Sequence, residues 1–192
     1  MLTYIFFLSF FATNPVLQSV TEVQEFTLTN AVNDQAFSLS SLKDKAAVVV
    51  IFSSNDCPYD KLYENRIENL LDAYRDRQVA FVLINSNNPE RSPEDTPNLM
   101  AEKIKELRWN VPYLIDHEQQ VAGMFGAQKT PEAFVLKYLN NSFQILYNGS
   151  IDDNPQVASD VSNYCLKRAL DATLEGQPIL VDHTYPTGCM IR

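Results

Sequence analysis

The chain has 192 residues, of which 45% are hydrophobic and 20% charged, so it can bury the core of one domain of ordinary size. Its 15 Lys and Arg residues against 24 Asp and Glu residues give a net charge of −9, and no basic run interrupts that acidic balance. This composition disfavours nucleic-acid binding. Three Cys residues are too few for a disulfide-dense scaffold.

The first residues of the chain resemble an export signal in composition. Residues 1–12 are almost all apolar, but the run is too short to span a bilayer, which takes roughly 20 residues. We interpret residues 1–20 as a signal peptide and predict export, to a periplasm or out of the cell. Because no basic residue precedes the run, a buried N-terminal strand or helix stays open as the alternative. We expect no membrane insertion after signal removal.

The next part of the chain predicts strands and a helix. Alternating segments at 26–28 and 36–39 flank the turn-prone pair Asn33-Asp34, which indicates a hairpin. Residues 46–52 form a continuous, mostly β-branched run, typical of a strand buried on both faces. A helix follows, because apolar residues recur at spacings near three and four. These residues are Leu62, Ile67, Leu70, Leu71 and Tyr74. Residues 79–84 predict a second buried strand.

The second half of the chain continues the alternation. Residues 99–109 predict a helix and 111–115 a short strand. Residues 133–139 and 143–147 predict a hairpin around Asn140-Asn141. A last helix is predicted from 155 to 174. This order implies an α/β fold with parallel crossovers and antiparallel edge pairs. We expect one domain at 21–177 and an irregular tail at 178–192.

Cys57 is the candidate reactive residue. It follows the buried strand and precedes the first helix, and Pro58 suits a first helical position. Unpaired amides and the dipole at a helix N-terminus stabilise a thiolate. In open α/β sheets, sites form at the carboxyl ends of strands, where Cys57 lies. The alternative is an inert, space-filling cysteine.

Short blocks along the chain carry a family likeness. They are Asn55-Asp56-Cys57-Pro58-Tyr59, Asn85-Ser86-Asn87, Pro93-Glu94-Asp95, Pro112-Tyr113-Leu114-Ile115-Asp116, Gly126-Ala127, Thr130-Pro131-Glu132, Gly149-Ser150-Ile151-Asp152-Asp153 and Gly188-Cys189-Met190-Ile191-Arg192. Together they resemble the peroxiredoxin-like branch of the alkyl hydroperoxide reductase and thiol-specific antioxidant group, and they cover nearly everything after the predicted signal.

The resemblance implies a thioredoxin-like fold, in which helices flank a central mixed sheet with an N-terminal hairpin. It implies that Cys57 is the peroxidatic-type thiol and that a cis peptide bond before Pro131 faces it. Pro58, Thr130 and Pro131 would then contact a docked substrate. The expected substrate is a peroxide or a disulfide, and the expected reductant is an external thiol. No cofactor is expected.

Two motifs common in such proteins are incomplete. In the Cys-x-x-Cys pattern of thioredoxins, Asp60 stands where the second cysteine would be. In the peroxiredoxin pattern Pro-x-x-x-Thr-x-x-Cys, Val50 replaces the proline and Ser54 replaces the threonine. Since Ser54 keeps a hydroxyl group, we expect it to polarise a bound peroxide.

Charges near Cys57 complicate its activation. The carboxylates of Asp56 and Asp60 would oppose a thiolate by like-charge repulsion, although Lys61 partly offsets them. Peroxiredoxins direct an arginine at the peroxide. Arg66 and Arg91 are the candidates for that role here.

The other two cysteines have different prospects. Cys165 lies among apolar residues of the last predicted helix, which favours a small buried side chain. Cys189 lies in the tail and is either an unused thiol or a resolving thiol that reaches Cys57 or a partner chain. A homodimer therefore stays open. A metal site is disfavoured, because the chain lacks paired Cys-x-x-Cys and His-x-x-x-His motifs.

Three functions are consistent with the sequence. The first is a thiol peroxidase, in which Cys57 becomes a sulfenic acid that Cys189 or an external thiol reduces. The second is thiol–disulfide exchange or redox sensing. The third is a non-catalytic thioredoxin-fold binding module in which Asp56 and Asp60 have silenced the thiol. The resemblance favours a redox role, and the antioxidant peroxidase is our first expectation.

Overall fold

Residues 21–192, the part of the chain that this computed structural model describes, contain ten strands and four α-helices. The strands are β1 (Thr21–Val23), β2 (Thr27–Asn30), β3 (Gln35–Ser38), β4 (Ala47–Phe52), β5 (Val79–Asn85), β6 (Tyr113–Ile115), β7 (Lys129–Thr130), β8 (Glu132–Leu139), β9 (Ser142–Gly149) and β10 (Cys189–Met190). The helices are α1 (Pro58–Tyr74), α2 (Pro97–Leu107), α3 (Gln120–Phe125) and α4 (Cys165–Glu175). The predicted signal peptide lies outside the described residues.

Eight of these strands form one mixed sheet. Their order is β1-β9-β8-β4-β5-β6-β2-β3, and β7 and β10 pair separately. Strand β5 runs parallel to β4 and to β6, whereas the other pairs in the sheet are antiparallel. This mixed sheet with flanking helices confirms the predicted thioredoxin-like α/β fold and its N-terminal hairpin.

Strand β4 lies at the centre of the core. All six of its residues are buried, which explains its unbroken apolar sequence. Because side chains alternate along a strand, Val49 and Ile51 face one hydrophobic cluster and Val48 and Val50 face the other. The first cluster includes residues of α1, α2 and α4, and the second includes residues of α3. Cys57 therefore follows the carboxyl end of a strand that is fixed in the core.

Both predicted hairpins are confirmed. Strands β2 and β3 pair antiparallel, with Asn30 opposite Gln35. At the tip between β8 and β9, Asn140 and Asn141 have φ angles of 51° and 67°. Two successive left-handed residues make the tight turn that matches the twist of the strands, and asparagine tolerates that conformation.

The predicted start of the last helix is wrong. Helix α4 begins at Cys165 and not at residue 155. The Oδ1 atom of Asn154 accepts hydrogen bonds from the backbone N–H groups of Gln156 and Val157. The Asp153 carboxylate accepts another from Ser162 N–H. These local side-chain bonds compete with helix formation.

The structure contains elements that the sequence pattern did not reveal. Strand β1 and helix α3 are too short for a clear periodicity, and β10 lies in the tail.

Within residues 21–192, no helix combines the length and the apolar character that crossing a membrane requires.

The apolar face of α1 also differs from the predicted one. Ile67 is 2% exposed, but Leu62 is 47% exposed and does not belong to the buried face. We therefore predict that Ile67→Ala lowers the free energy of unfolding by about 2–4 kcal/mol, because it leaves a core cavity. Leu62→Ala, the matched control, should change it by about 0.5 kcal/mol or less. Denaturant unfolding of both variants measures this, and equal losses would contradict the assigned face.

Candidate active site

Cys57 is joined to Cys189 by a disulfide. The Cα atoms are 5.8 Å apart and 132 positions separate the two residues. Cys57 is the N-cap of α1, and Pro58 occupies the first turn. Cys57 is only 2% exposed, whereas Cys189 is partly exposed and Pro58 is exposed. The two cysteines of the disulfide therefore differ in their access to solvent.

The segment before β8 forms the other wall of the site. The Thr130–Pro131 peptide bond is cis, as the family resemblance implied. The carbonyl oxygen of Thr130 lies 3.1 Å from the Cys57 sulfur. Thr130 and Pro131 are both buried. The structure thus brings the Thr130 end of the cis bond against the Cys57 side of the disulfide.

The tail follows an irregular path over most of its length, as predicted, but it docks on the domain. Cys189 lies opposite Thr130 in the antiparallel pair of β10 with β7. Beyond it, Arg192 N–H donates to Asn87 Oδ1 at 2.8 Å, and Asn88 N–H donates to the Arg192 carbonyl at 2.8 Å. The final residues therefore cross the loop that follows β5.

Two glycines mark the closest approaches between the tail and the domain. A Cβ atom on Gly188 would lie 2.3 Å from the Thr130 carbonyl oxygen. A Cβ atom on Gly149, whose φ is 141°, would lie 2.2 Å from the Thr184 carbonyl oxygen. The Thr184 hydroxyl also contacts the Tyr147 hydroxyl at 2.7 Å. Docking at both points needs a residue without a side chain.

A buried carboxylate organises the loop that carries Cys57. Asp95 is fully buried and accepts hydrogen bonds from the Ser54 hydroxyl at 2.8 Å and from Asn55 N–H at 2.6 Å. The side-chain amides of Asn85 and Asn87 donate two more. Four donors thus satisfy the carboxylate, as a buried charge requires.

Ser54, whose hydroxyl we expect to polarise a peroxide, belongs to the same network. The hydroxyl donates to Asp95 and accepts from Asp56 N–H at 3.1 Å. Ser54 therefore links the Cys57 loop to Asp95.

An arginine other than the two candidates lies beside the site. Arg66 is held by Asp152, with an N–O distance of 2.8 Å, and Arg91 is exposed on the loop after β5. Instead, the Arg192 guanidinium pairs with Asp56 at 3.1 Å, immediately before Cys57. Sequence reasoning missed this contact because 136 positions separate its partners. The one sequence feature that could have pointed to Arg192 is its place in the family block Gly188-Cys189-Met190-Ile191-Arg192.

Asp60 is a buried acid one helical turn from Cys57. Its carboxylate oxygens form no hydrogen bond with any residue in the described range 21–192. Burial raises its pKa to about 7, although the charge of Lys103 lowers it in part. Near neutral pH, Asp60 is therefore about half protonated. Its repulsion of a Cys57 thiolate is weaker than the sequence suggested.

Cys165 is buried and free. Burial raises the pKa of its thiol, which disfavours the reactive thiolate. This placement agrees with the predicted space-filling role.

Among residues 21–192, no group of three or more His, Cys, Asp or Glu side chains is arranged to hold a metal ion.

Asp60 should impose a pH dependence on stability. Between about pH 4 and pH 7 the folded state keeps a proton that the unfolded state has lost, so this group lowers the free energy of unfolding as pH rises. We predict that Asp60→Asn removes this decrease in the free energy of unfolding with rising pH. Relative to the wild type, the variant should gain about 3 kcal/mol between pH 4.5 and pH 8.

Denaturant unfolding of the oxidised protein across this pH range measures the effect. Asp44→Asn is the matched control, because it makes the same chemical change at an exposed position. If the difference between Asp60→Asn and the wild type did not change with pH, a buried proton on Asp60 would be contradicted.

The close approach at Gly188 predicts a redox effect. Gly188→Ala forces the added Cβ against Thr130 and should weaken docking of the tail. Overpacking of this kind costs about 1–3 kcal/mol, so the equilibrium with dithiothreitol should shift toward the dithiol by about 5-fold to 150-fold. Thiol alkylation and mass spectrometry quantify the two forms. Gly123→Ala is the control because nothing lies within 4 Å of its Cβ position; equal behaviour of the two variants would contradict the prediction.

Comparison with known proteins identifies relatives of the whole domain. The profile of the AhpC/TSA family matches residues 20–153. An uncharacterized conserved protein from Geobacillus kaustophilus is 32% identical, with a TM-score of 0.83 over 93% of both chains. A hypothetical protein from Sinorhizobium meliloti 1021 is 31% identical, with a TM-score of 0.81 over 91% of this chain and 94% of the other.

A more distant likeness shows the fold alone. Peroxidoxin BcpB from Mycobacterium tuberculosis is 20% identical, with a TM-score of 0.59 over 81% of this chain and 94% of its own. A search of curated proteins gave no match.

Proposed function

The chain belongs to the AhpC/TSA family and is an oxidoreductase that works through thiols, and we propose that it reduces peroxides with Cys57 as the attacking thiol and Cys189 as the resolving thiol. The observation that carries the proposal is the Cys57–Cys189 disulfide across the docked tail. We propose residues 21–177 as the redox domain and 178–192 as the tail that carries the second thiol.

The first step is attack on the peroxide. The Cys57 thiolate attacks one peroxide oxygen, the O–O bond breaks, and the leaving oxygen takes a proton to give an alcohol or water. The N-terminus of the 17-residue helix α1 stabilises the thiolate. Pro58 is exposed next to Cys57 and lines the path by which the peroxide approaches. Thr130 and Pro131 line the buried side of the site, where the Thr130 carbonyl lies against the Cys57 sulfur. The product is a sulfenic acid on Cys57.

The second step is resolution by the tail. The Cys189 thiol attacks the sulfenic sulfur, the new S–S bond forms, and the hydroxyl group leaves as water once protonated. The pairing of Cys189 opposite Thr130 holds the resolving sulfur where this bond can form. Resolution within one chain needs no partner subunit.

An external thiol completes the cycle. An external thiolate attacks the sulfur of Cys189, the more exposed of the two cysteines, and Cys57 leaves as a thiolate at the helix N-terminus. A second external thiolate then attacks the external sulfur of the mixed disulfide on Cys189 and releases the Cys189 thiol, so two external thiols become one disulfide in each cycle. We propose that the protein is exported through residues 1–20. Its reductant is then a thiol available outside the cytosol.

Thiol–disulfide exchange is the second candidate. The specific observation that favours it is the occupant of the site, because a segment of polypeptide is paired with Thr130 and joined to Cys57. The missing Cys-x-x-Cys pair weighs against ordinary dithiol exchange, since the position is held by Asp60. A silent binding module is disfavoured by the disulfide itself.

Peroxide titration of the reduced protein tests the proposal. One equivalent of hydrogen peroxide should consume two thiols and yield the Cys57–Cys189 bond, as mapped by mass spectrometry. Cys189→Ser should instead accumulate a sulfenic acid on Cys57 that dimedone traps. Cys57→Ser should lose the fast reaction, by at least about 100-fold, because only slow thiols remain.

Cys165→Ser is the matched control and should behave as the wild type, since Cys165 is unpaired and buried. If Cys57 oxidised no faster than an ordinary exposed cysteine, peroxide reduction would be excluded and exchange would be the better assignment.

A further inference from the structure

The last residues of the tail are held mainly through their backbone. Cys189 and Met190 pair with Thr130 and Lys129 in an antiparallel ladder. Ile191 N–H donates to the Gln128 carbonyl at 3.0 Å. Backbone recognition of this kind does not depend on the identity of most side chains, which makes it suitable for any extended polypeptide.

The segment continues into a second set of fixed partners. The Arg192 carbonyl accepts hydrogen bonds from Asn88 N–H at 2.8 Å and from the Gln119 side chain at 2.9 Å. Arg192 N–H donates to Asn87 Oδ1, and Asn87 is itself held by Asp95. All these partners belong to the domain and not to the tail. We define the docking cleft as the surface formed by Asp56, 87–88, Gln119 and 128–130.

A few side chains of the tail are recognised individually. Gly188 leaves no room for a Cβ against Thr130. Ile191 packs against the hydrophobic cluster that contains α3 residues, and Arg192 pairs with Asp56. By contrast, Met190 is 57% exposed. Relative to the cysteine, the cleft therefore selects glycine at −1, an apolar residue at +2 and a basic residue at +3, and leaves +1 free.

We propose that the docking cleft is a binding site for extended polypeptide segments of the pattern Gly-Cys-x-apolar-basic, and that the chain's own tail is its tethered occupant. The proposal rests on the assignment of Cys57 as the reactive thiol. It extends the substrates of the site from small peroxides to cysteines of other proteins.

The chemistry in this cleft is a balanced exchange. With the chain reduced and the tail out of the cleft, the Cys57 thiolate attacks a disulfide sulfur of the bound polypeptide, so a new S–S bond forms and the disulfide of the polypeptide breaks. The leaving thiolate takes a proton from water. The Cys189 thiol then attacks the Cys57 sulfur, forms the Cys57–Cys189 bond and releases the polypeptide cysteine as a thiol. The polypeptide disulfide is reduced and the two thiols of the chain are oxidised, so no further reductant or oxidant is needed. Because Cys57 is 2% exposed when the tail is docked, the tail must be out of the cleft for the first attack.

The test uses the full chain with Cys165→Ser and Cys189→Ser, which leaves Cys57 as its one thiol. The probe is a peptide amide of residues 186–192 whose cysteine carries thionitrobenzoate. Attack by Cys57 on the peptide sulfur releases the coloured thiolate, and its absorbance gives the rate. Four substituted peptides are compared: Gly188→Ala, Met190→Ser, Ile191→Ser and Arg192→Glu.

We expect Gly188→Ala and Ile191→Ser peptides to react at least tenfold more slowly than the parent, and Arg192→Glu several-fold more slowly. Met190→Ser should stay within twofold. Asp56→Asn in the protein should abolish the difference between the Arg and Glu peptides, which a general change in Cys57 reactivity would not do. Equal rates for all peptides, or no reaction with any, would overturn the proposal.

The outcome is separable from that of the proposed function. Discrimination among peptides without fast oxidation by peroxide would keep the cleft and overturn the peroxidase. Fast oxidation by peroxide with equal peptide rates would keep the peroxidase and overturn the cleft.

Discussion

The carboxylate of Asp95 connects the parts of the site that otherwise lie on separate loops. It accepts hydrogen bonds from Ser54 and Asn55 after β4, from Asn85 at the end of β5 and from Asn87 after β5. A charge buried this deeply is stable only while its donors remain in place, and those donors would in turn be left unpaired without it. Since Asn87 also receives the tail, one carboxylate fixes both the loop that presents Cys57 and the place where the tail ends.

The parts of the fold predictable from sequence were those with a strong local signal. An unbroken apolar run specified β4, and the turn-prone Asn140-Asn141 pair specified the hairpin of β8 and β9. The error at α4 came from side-chain to backbone hydrogen bonds near Asn154, which compete with a helix without disturbing the apolar pattern. Leu62 fitted the helical spacing but faces solvent, because spacing alone does not say which face is covered.

The cysteines of the candidate site could be singled out from the sequence, but the charged and polar contacts around them could not. Cys57 has a local signature of strand, cysteine, proline and helix, and the structure joins it to Cys189. The Asp56–Arg192 and Ser54–Asp95 contacts join residues 136 and 41 positions apart, and no local periodicity reports such pairs. The state of Asp60 was also hidden, since its pKa depends on how completely the fold excludes water.

The disulfide has a consequence beyond the chemistry at the sulfur atoms. It closes a loop over 132 positions, and for a loop of this length the loss of chain entropy in the unfolded state amounts to about 5 kcal/mol. In the proposed cycle, opening this bond would lower the free energy of unfolding of the domain, and closing it would raise that free energy again, once per turnover. The domain would then be more susceptible to proteolysis while it is reduced, which would couple the lifetime of the protein to the supply of reductant.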